Sequence, residues 1–186
     1  DSDVSKVIEG AAYALSADED PELEAYVDSV ISYMKAAQEE DGYLYTYRTI
    51  MGNDSHPWIG SKRWEKTHIL SHELYNLGHM FEAGVAYYQA THKRELLDVC
   101  IKAADLLCKD FGWEALQTFP GHQEVEIGLV KLYRVTGEKK YLDLAKFFLD
   151  ARGKCNLPGD AYNQSHKPVI EQDEAVGHSV RALYMY

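Results

Sequence analysis

Apolar residues recur every three to four positions along almost the whole chain, the signature of amphipathic helices. Val4, Val7, Ile8, Ala11 and Leu15 make a first stripe. Asp20-Pro21 then offers an N-cap followed by proline at the first helical position, where its missing N–H costs nothing. Leu23, Tyr26, Val27, Val30, Ile31 and Met34 continue as a second stripe, which Asp41-Gly42 stops. Leu74, Leu77, Phe81, Val85 and Tyr88 form a third, and Leu96, Val99, Cys100, Ala103 and Leu107 a fourth. Val125, Leu129, Leu132 and Tyr133 form a fifth; Leu142, Ala145, Phe148 and Leu149 a sixth. Glu174 to Tyr186 begins a seventh. The pattern predicts an all-α chain of about seven helices, with at most a short hairpin near Tyr43 to Tyr47.

The stripes repeat as pairs. Tyr88-Gln-Ala-Thr91 resembles Tyr133-Arg-Val-Thr136, and a polar turn followed by Leu-Asp comes after each, at Leu97-Asp98 and Leu142-Asp143. Val180-Arg-Ala-Leu-Tyr184 echoes Val130-Lys-Leu-Tyr133. A period of about 45 residues with two helices per unit means stacked helical hairpins, which run on as a solenoid or close into a ring. At the first turn His92 stands where the second has Gly137, so a non-glycine residue is expected there in left-handed geometry, at some cost. Two long irregular segments interrupt the pattern. One runs from Asp41 to Leu70 and carries Tyr43, Tyr45, Tyr47, Trp58 and Trp64; the other runs from Gly153 to Asp173. Loops of such length in a compact domain are functional or disordered, and five large aromatics argue against disorder in the first.

Composition narrows the partners. With 186 residues, 46% hydrophobic and 26% charged, the chain is long enough for an ordinary core. A net charge of −11 repels phosphate backbones and argues against nucleic acid. No run of about 18 apolar residues offers a membrane span, and no basic-then-apolar leader opens the sequence. Fourteen tyrosines are the oddity; their apolar rings and polar tips suit both helix packing and sugar binding. Cys100, Cys108 and Cys155 are too few and odd in number for a disulfide scaffold, and Cys100 and Cys108 lie about 12 Å apart on one helix, too far to bridge.

The candidate chemistry centres on histidine. In Ser71-His-Glu-Leu-Tyr-Asn-Leu-Gly-His79, the residues His72, Tyr75, Asn76 and His79 share a helix face that is polar yet almost uncharged. Such a face suits a neutral polyol, or equally a satisfied buried network. Phe119-Pro-Gly-His122-Gln-Glu puts a second histidine at a helix start, and Glu171 to His178 a third; each taken alone is as well explained as a cap or core residue. In up-and-down hairpins every second helix has the same polarity, so the starts of the third, fifth and seventh helices share one rim. His72, His122 and His178 therefore converge if the hairpins curve. Positive helix ends disfavour protonation, and neutral imidazoles both donate and accept hydrogen bonds with hydroxyls. Three histidines also raise the question of a metal, but only His72 and His79 lie close in sequence, so no metal site is assigned. The glutamates are too numerous to single out an acid/base pair, and no phosphate loop or nucleophile elbow occurs.

Val7-Ile-Glu-Gly-Ala-Ala-Tyr13, Asp41-Gly-Tyr-Leu-Tyr45, His72 to His79, Pro120-Gly-His-Gln-Glu-Val-Glu-Ile127 and Ala175-Val-Gly-His-Ser-Val-Arg-Ala182 resemble, in order, motifs of the family 127 glycoside hydrolases, the β-L-arabinofuranosidases. The resemblance covers nearly the whole chain. It implies an (α/α)6 barrel, of which residues 1–186 are one partial catalytic domain cut at its C-terminal side. It implies release of terminal β-L-arabinofuranose from plant glycans with retention of configuration, so the expected partner is an L-arabinofuranosyl glycan. In that family a cysteine nucleophile belongs to a zinc site of three cysteines and a glutamate, and a second glutamate is the acid/base. By chain order all of these follow the counterpart of His178. No catalytic residue and no cofactor is therefore assigned within this chain, and zinc is expected only in a full-length family enzyme. His72, His122 and His178 match positions lining the family's sugar pocket. The aromatic segment is expected beside them, which makes Tyr43 the fourth candidate for substrate contact. A different (α/α)-barrel enzyme, such as an epimerase or an unsaturated-uronide hydrolase, would need arginines at the mouth, where only Arg48 and Arg63 are available; a non-catalytic helical scaffold is the remaining alternative. Seven helices make only an arc of a ring, so apolar edges are expected to lie open and to drive self-association.

Overall fold

The computed structural model describes residues 2–52 and 56–186. Among them are eight α-helices and no strand: α1 (Ser2–Ala17), α2 (Pro21–Ala37), α3 (Thr46–Met51), α4 (Glu73–Thr91), α5 (Glu95–Asp110), α6 (Val125–Thr136), α7 (Lys139–Ala151) and α8 (Ser179–Met185). The periodic stripes become α1, α2, α4, α5, α6, α7 and α8. Near Tyr43 to Tyr47, where at most a short hairpin was expected, the chain turns into the six-residue α3. One local expectation changes. The last helix begins at Ser179, not near Glu174, because Gly177 holds φ +74° tight against the carbonyl of Ala161. A Cβ there would collide with that oxygen, so the chain must turn before it coils.

Each long helix pairs with its neighbour as a hairpin: α1 with α2, α4 with α5, α6 with α7. The first members pack side by side in the order α1, α4, α6, and the second members α2, α5, α7 make a layer behind them. Helices of the front layer run in the same direction, since Lys6 near the start of α1 meets Tyr75 near the start of α4. Further along, Lys131 of α6 pairs with Glu9 of α1 and Glu82 of α4. α4 is flanked on both sides and backed by α5, and is accordingly buried nearly all round.

The repeated turns share one geometry. Thr91 Oγ donates to the carbonyl of Tyr87 at 2.7 Å and accepts from the N–H of Lys93; Thr136 does the same with Leu132 and Glu138. The residue between is left-handed in both, His92 at φ 60° and Gly137 at φ 75°. α2 starts as its sequence signals, with the Asp20 carboxylate accepting from the N–H groups of Glu22 and Leu23 behind Pro21. All three cysteines are free.

The two irregular segments are ordered by buried polar hubs. Glu73, at the first turn of α4, accepts from Tyr43 Oη at 2.6 Å, from the Trp64 N–H and from Ser71 Oγ. Tyr45 Oη donates to the Ser71 carbonyl and Trp64 Nε1 to Asp110. The second segment is held by two buried guanidinium groups. Arg152 donates to the carbonyls of Asn163 and Pro120, and Arg181 to that of Gly121. These bonds knit residues 119–124, 160–165 and the start of α8 together at the end of the front layer where its helices begin.

Candidate functional site

His72 precedes α4 in left-handed geometry, His122 lies in the turn before α6, and His178 is the N-cap of α8. The structure brings the three together. The rings of His72 and His122 are 6.0 Å apart centre to centre, and those of His122 and His178 6.5 Å. Tyr75 fills the angle below, 4.5 Å from His122 and 5.6 Å from His72, and Tyr184 of α8 closes over His122 at 5.3 Å. Beyond His178 the ring of Tyr162 follows at 5.3 Å.

Each imidazole is oriented by its own main-chain contact. His72 Nδ1 lies 2.6 Å from the carbonyl of Leu70, and His122 Nδ1 2.7 Å from that of Gln123. A carbonyl only accepts, so both rings carry their proton on Nδ1 and leave Nε2 as an acceptor. His178 is the reverse: its Nδ1 accepts from the N–H of Arg181 at 3.4 Å, which leaves Nε2 as the donor. Burial pushes His72 below the ordinary imidazole range, the Leu70 carbonyl opposes this, and nearby Arg181 adds to it. Burial likewise takes His122 down to about 4, again with Arg181 assisting. For His72 and His122, burial and a neighbouring cation thus favour the neutral ring, in the same direction as the helix ends expected from the sequence. The trio presents two acceptors and one donor, a pattern that matches vicinal hydroxyls, each able to give and receive.

Two sequence expectations need correction here. Tyr43 does not join this group. It is 1% exposed, its hydroxyl is bound to Glu73, and its ring meets Trp64 and the Arg63 guanidinium, so it supports the base of α4 and reaches no open space. The polar face of α4 also divides. Tyr75 and His79 turn toward the histidines, whereas Asn76 lines a separate groove of about 320 Å³ with Val30, Met34, Leu77 and Met80. Helical spacing put them on one face; the packing of α1 across α4 separates them.

Beneath the histidines lies a cluster that sequence reasoning passed over. His79 is buried with Nδ1 3.2 Å from Glu124 Oε1 and 3.8 Å from Glu82 Oε2. Lys131 caps the other oxygen of Glu82. Glu82 lies one helical turn after His79 and Glu124 two residues after His122, but acidic residues are so common in this chain that neither position stood out. Burial works against ionising Glu82, but the contacts with Glu124 and Lys131 outweigh it and hold its carboxyl below the usual range. Burial and the adjacent Glu82 push Glu124 up to about 10. The ligand atoms of His79, Glu82 and Glu124 lie within 4.8 Å of one another, the spacing of a metal site. This group contains no cysteine. The thiol of Cys100 faces the Met80 carbonyl and that of Cys108 the Lys140 carbonyl, so the described residues do not fit a zinc centre built of three cysteines and a glutamate.

The profile described as "Beta-L-arabinofuranosidase, GH127 catalytic domain" matches residues 1–186. A non-reducing end β-L-arabinofuranosidase of Bifidobacterium longum is 39% identical, with 100% of this chain and 31% of that protein covered. Among solved structures, one family 127 β-arabinofuranosidase superposes with a TM-score of 0.95 at 56% identity, covering all of this chain and 29% of its own. The family 127 β-L-arabinofuranosidase of Geobacillus stearothermophilus superposes with a TM-score of 0.89 at 43% identity, and the chain covers 31% of it. The chain thus spans about a third of the length of these relatives. With its whole length matched by the profile and its helical arc superposing on theirs, this chain belongs to glycoside hydrolase family 127.

Proposed function

We propose that this chain is the first part of the barrel of a retaining glycoside hydrolase that removes terminal β-L-arabinofuranose, and that His72, His122 and His178 orient the hydroxyls of that sugar. The observation that supports this most is the meeting of three differently sourced imidazoles, two offering Nε2 as acceptor and one as donor, at one end of the front layer. An acidic sugar would need cations there. Arg181, the cation beside the histidines, is committed to the Gly121 carbonyl and the Tyr162 ring, Arg48 to the carbonyls of Ile59, Gly60 and Lys62, and Arg63 to Glu39 and Asp41, which disfavours a uronide substrate. The nucleophile and the acid/base are assigned to no residue of this chain, so the 186 residues by themselves are expected to bind no stoichiometric zinc and to hydrolyse no glycoside.

The test uses a protein of the relatives' full length that carries this segment. On an aryl β-L-arabinofuranoside, His72→Ala, His122→Ala and His178→Ala should each lose about 1–3 kcal/mol of transition-state stabilisation, or roughly five- to 150-fold in kcat/KM. Wild-type values for all three variants would remove the histidines from the site. An active unmodified protein on an unrelated glycoside alone would remove the arabinofuranoside reading.

A further inference from the structure

We propose that Glu124 and His79 are positioning residues for the histidine site, Glu124 holding the His79 imidazole and His79 holding Tyr75 against His122. The inference rests on the sugar-orienting role of His122 given above and extends it one layer inward.

The geometry is a stack. The Tyr75 ring lies 4.5 Å from His122 on one side and 4.5 Å, edge to face, from His79 on the other. His79 in turn lies 3.2 Å from Glu124. Tyr184 lies across the stack, 6.3 Å from Tyr75 and 6.1 Å from His79, and Lys6 donates to the Tyr75 hydroxyl at 3.0 Å. His122 itself is tied down only through Nδ1, so the plane of its ring depends on what it packs against.

Glu124 is set deep between the helices. Its side chain is wholly buried, and it reaches α4 only because residue 78 is glycine: a Cβ there would lie 2.6 Å from Glu124 Cγ. Neither oxygen of Glu124 and neither nitrogen of His79 has an aligned hydrogen bond, although the closest pair is only 3.2 Å apart. A lone buried carboxylate beside the carboxylate of Glu82 is electrostatically untenable, since two such charges cannot both ionise at this distance. Lys131 already satisfies Glu82. The remaining charges around the cluster are Lys6 and Glu9 from α1, Glu126 beside its own Arg152 from α6, and the phenols of Tyr13, Tyr75 and Tyr184. None of them supplies Glu124 with a cation. Glu124 therefore keeps its proton, which is directed at Glu82, and its Oε1, 3.2 Å from His79 Nδ1, is the polar group against which this ring is set.

A glutamine preserves a donor of the same shape, and an alanine does not. In the full-length protein, Glu124→Gln should retain kcat/KM near neutral pH to within about threefold and lose the alkaline fall in activity that the ionisation of Glu124 causes. Glu124→Ala should lower kcat/KM by about tenfold or more, chiefly through KM, because a misplaced His122 binds the sugar less well. A second readout needs no substrate: the ring-¹⁵N resonances of His122 should move in Glu124→Ala and stay in place in Glu124→Gln. Wild-type KM and an unmoved His122 resonance in a folded alanine variant would overturn the proposal, as would equal damage from glutamine and alanine. Stoichiometric zinc or manganese that is lost in Glu124→Gln would also overturn it, by making the cluster a metal site. If alanine does not fold, the glutamine variant's pH profile and resonances decide. If the unmodified protein cleaves no arabinofuranoside, the functional reading fails and the resonances alone decide this one.

Discussion

Burial leaves the imidazoles of His72, His79 and His122 without a proton at neutral pH, and that has a measurable consequence for stability. His79 and His122 sit at about 4 in the folded chain against the ordinary 6.5 of an imidazole, with burial the main cause in each. Between those values the unfolded chain binds protons that the native rings refuse, so their contribution is present above pH 6.5 and is lost as pH falls toward 4. We expect Tm to drop across that window, and His79→Gln to flatten the drop; differential scanning calorimetry at a series of pH values reads both. Glu124 acts with the opposite sign. Its folded value of about 10 stands above the ordinary 4.5, so stability from this group is lost as pH rises between the two. Glu124→Gln should therefore gain on the wild type as pH increases, and a difference in Tm that does not change with pH would contradict the protonated carboxyl. At the turn after α4, His92 holds φ 60° at the position where the next repeat has Gly137. His92→Gly should relieve about 1 kcal/mol of left-handed strain, offset in part by the freer unfolded chain. A Tm at or above wild type is the expected result, and a clear loss would mean that the packing of His92 on Tyr88 matters more than its backbone.

At the scale of elements, α4 carries both the core and the floor of the site, and it does so by touching α6 without side chains between them. Gly78 and Gly128 face each other: a Cβ on Gly78 would come 2.7 Å from the backbone nitrogen of Val125, and one on Gly128 2.7 Å from the Gly78 carbonyl. Backbone cannot yield as a side-chain tip does. Gly78→Ala should cost about 1–3 kcal/mol by forcing the helices apart, and should also displace Glu124 and thereby His79. Chemical denaturation combined with the His122 resonance separates the two effects; an alanine variant as stable as wild type would show that the helices have room. The long helices were legible in the sequence because each buries a periodic stripe, and the three histidines because alternate helices in hairpins begin at the same end. α3 was not, since Thr46 to Met51 is too short to display a period and has no buried residue. Nor was the loss of Tyr43 from the site: an aromatic in a loop reads equally as ligand platform or as packing, and only the position of Glu73 decides that its hydroxyl points inward. The Glu82–Glu124–His79 cluster was illegible for a third reason. It joins α4 to the residue before α6 through a glycine contact, and the His79–Glu82 spacing within α4 does not by itself point to Glu124.

The whole molecule is an arc in which inner hairpins cover one another and the two ends have no such neighbour. The consequence appears on the first hairpin and on α8. On α1 and α2, Val7, Tyr26 and Tyr33 are 70%, 68% and 73% exposed; on α8, Leu183 is 73% exposed. Between α1, α2 and α4 lies the groove of about 320 Å³, walled by Val4, Val30, Tyr33, Met34, Leu77 and Met80. By contrast neither α5 nor the last hairpin, α6 with α7, leaves a large hydrophobic residue that open, so the open apolar surface lies mainly on the first hairpin and on α8. Apolar surface gathered in patches of this kind drives association, while the net charge of −11 opposes it at long range. Salt decides between them, because it screens the repulsion within about 10 Å at 0.1 M and leaves apolar contact intact. The isolated 186-residue chain should therefore self-associate, and more strongly as salt is raised. Sedimentation velocity at two salt concentrations measures this directly. Val7→Lys combined with Tyr33→Glu should shift the population toward monomer without lowering Tm, since neither side chain is buried. A chain that sediments as a monomer at both salt concentrations would mean that its edges are too dispersed to act as one surface, and that covering them is not what makes the arc stable.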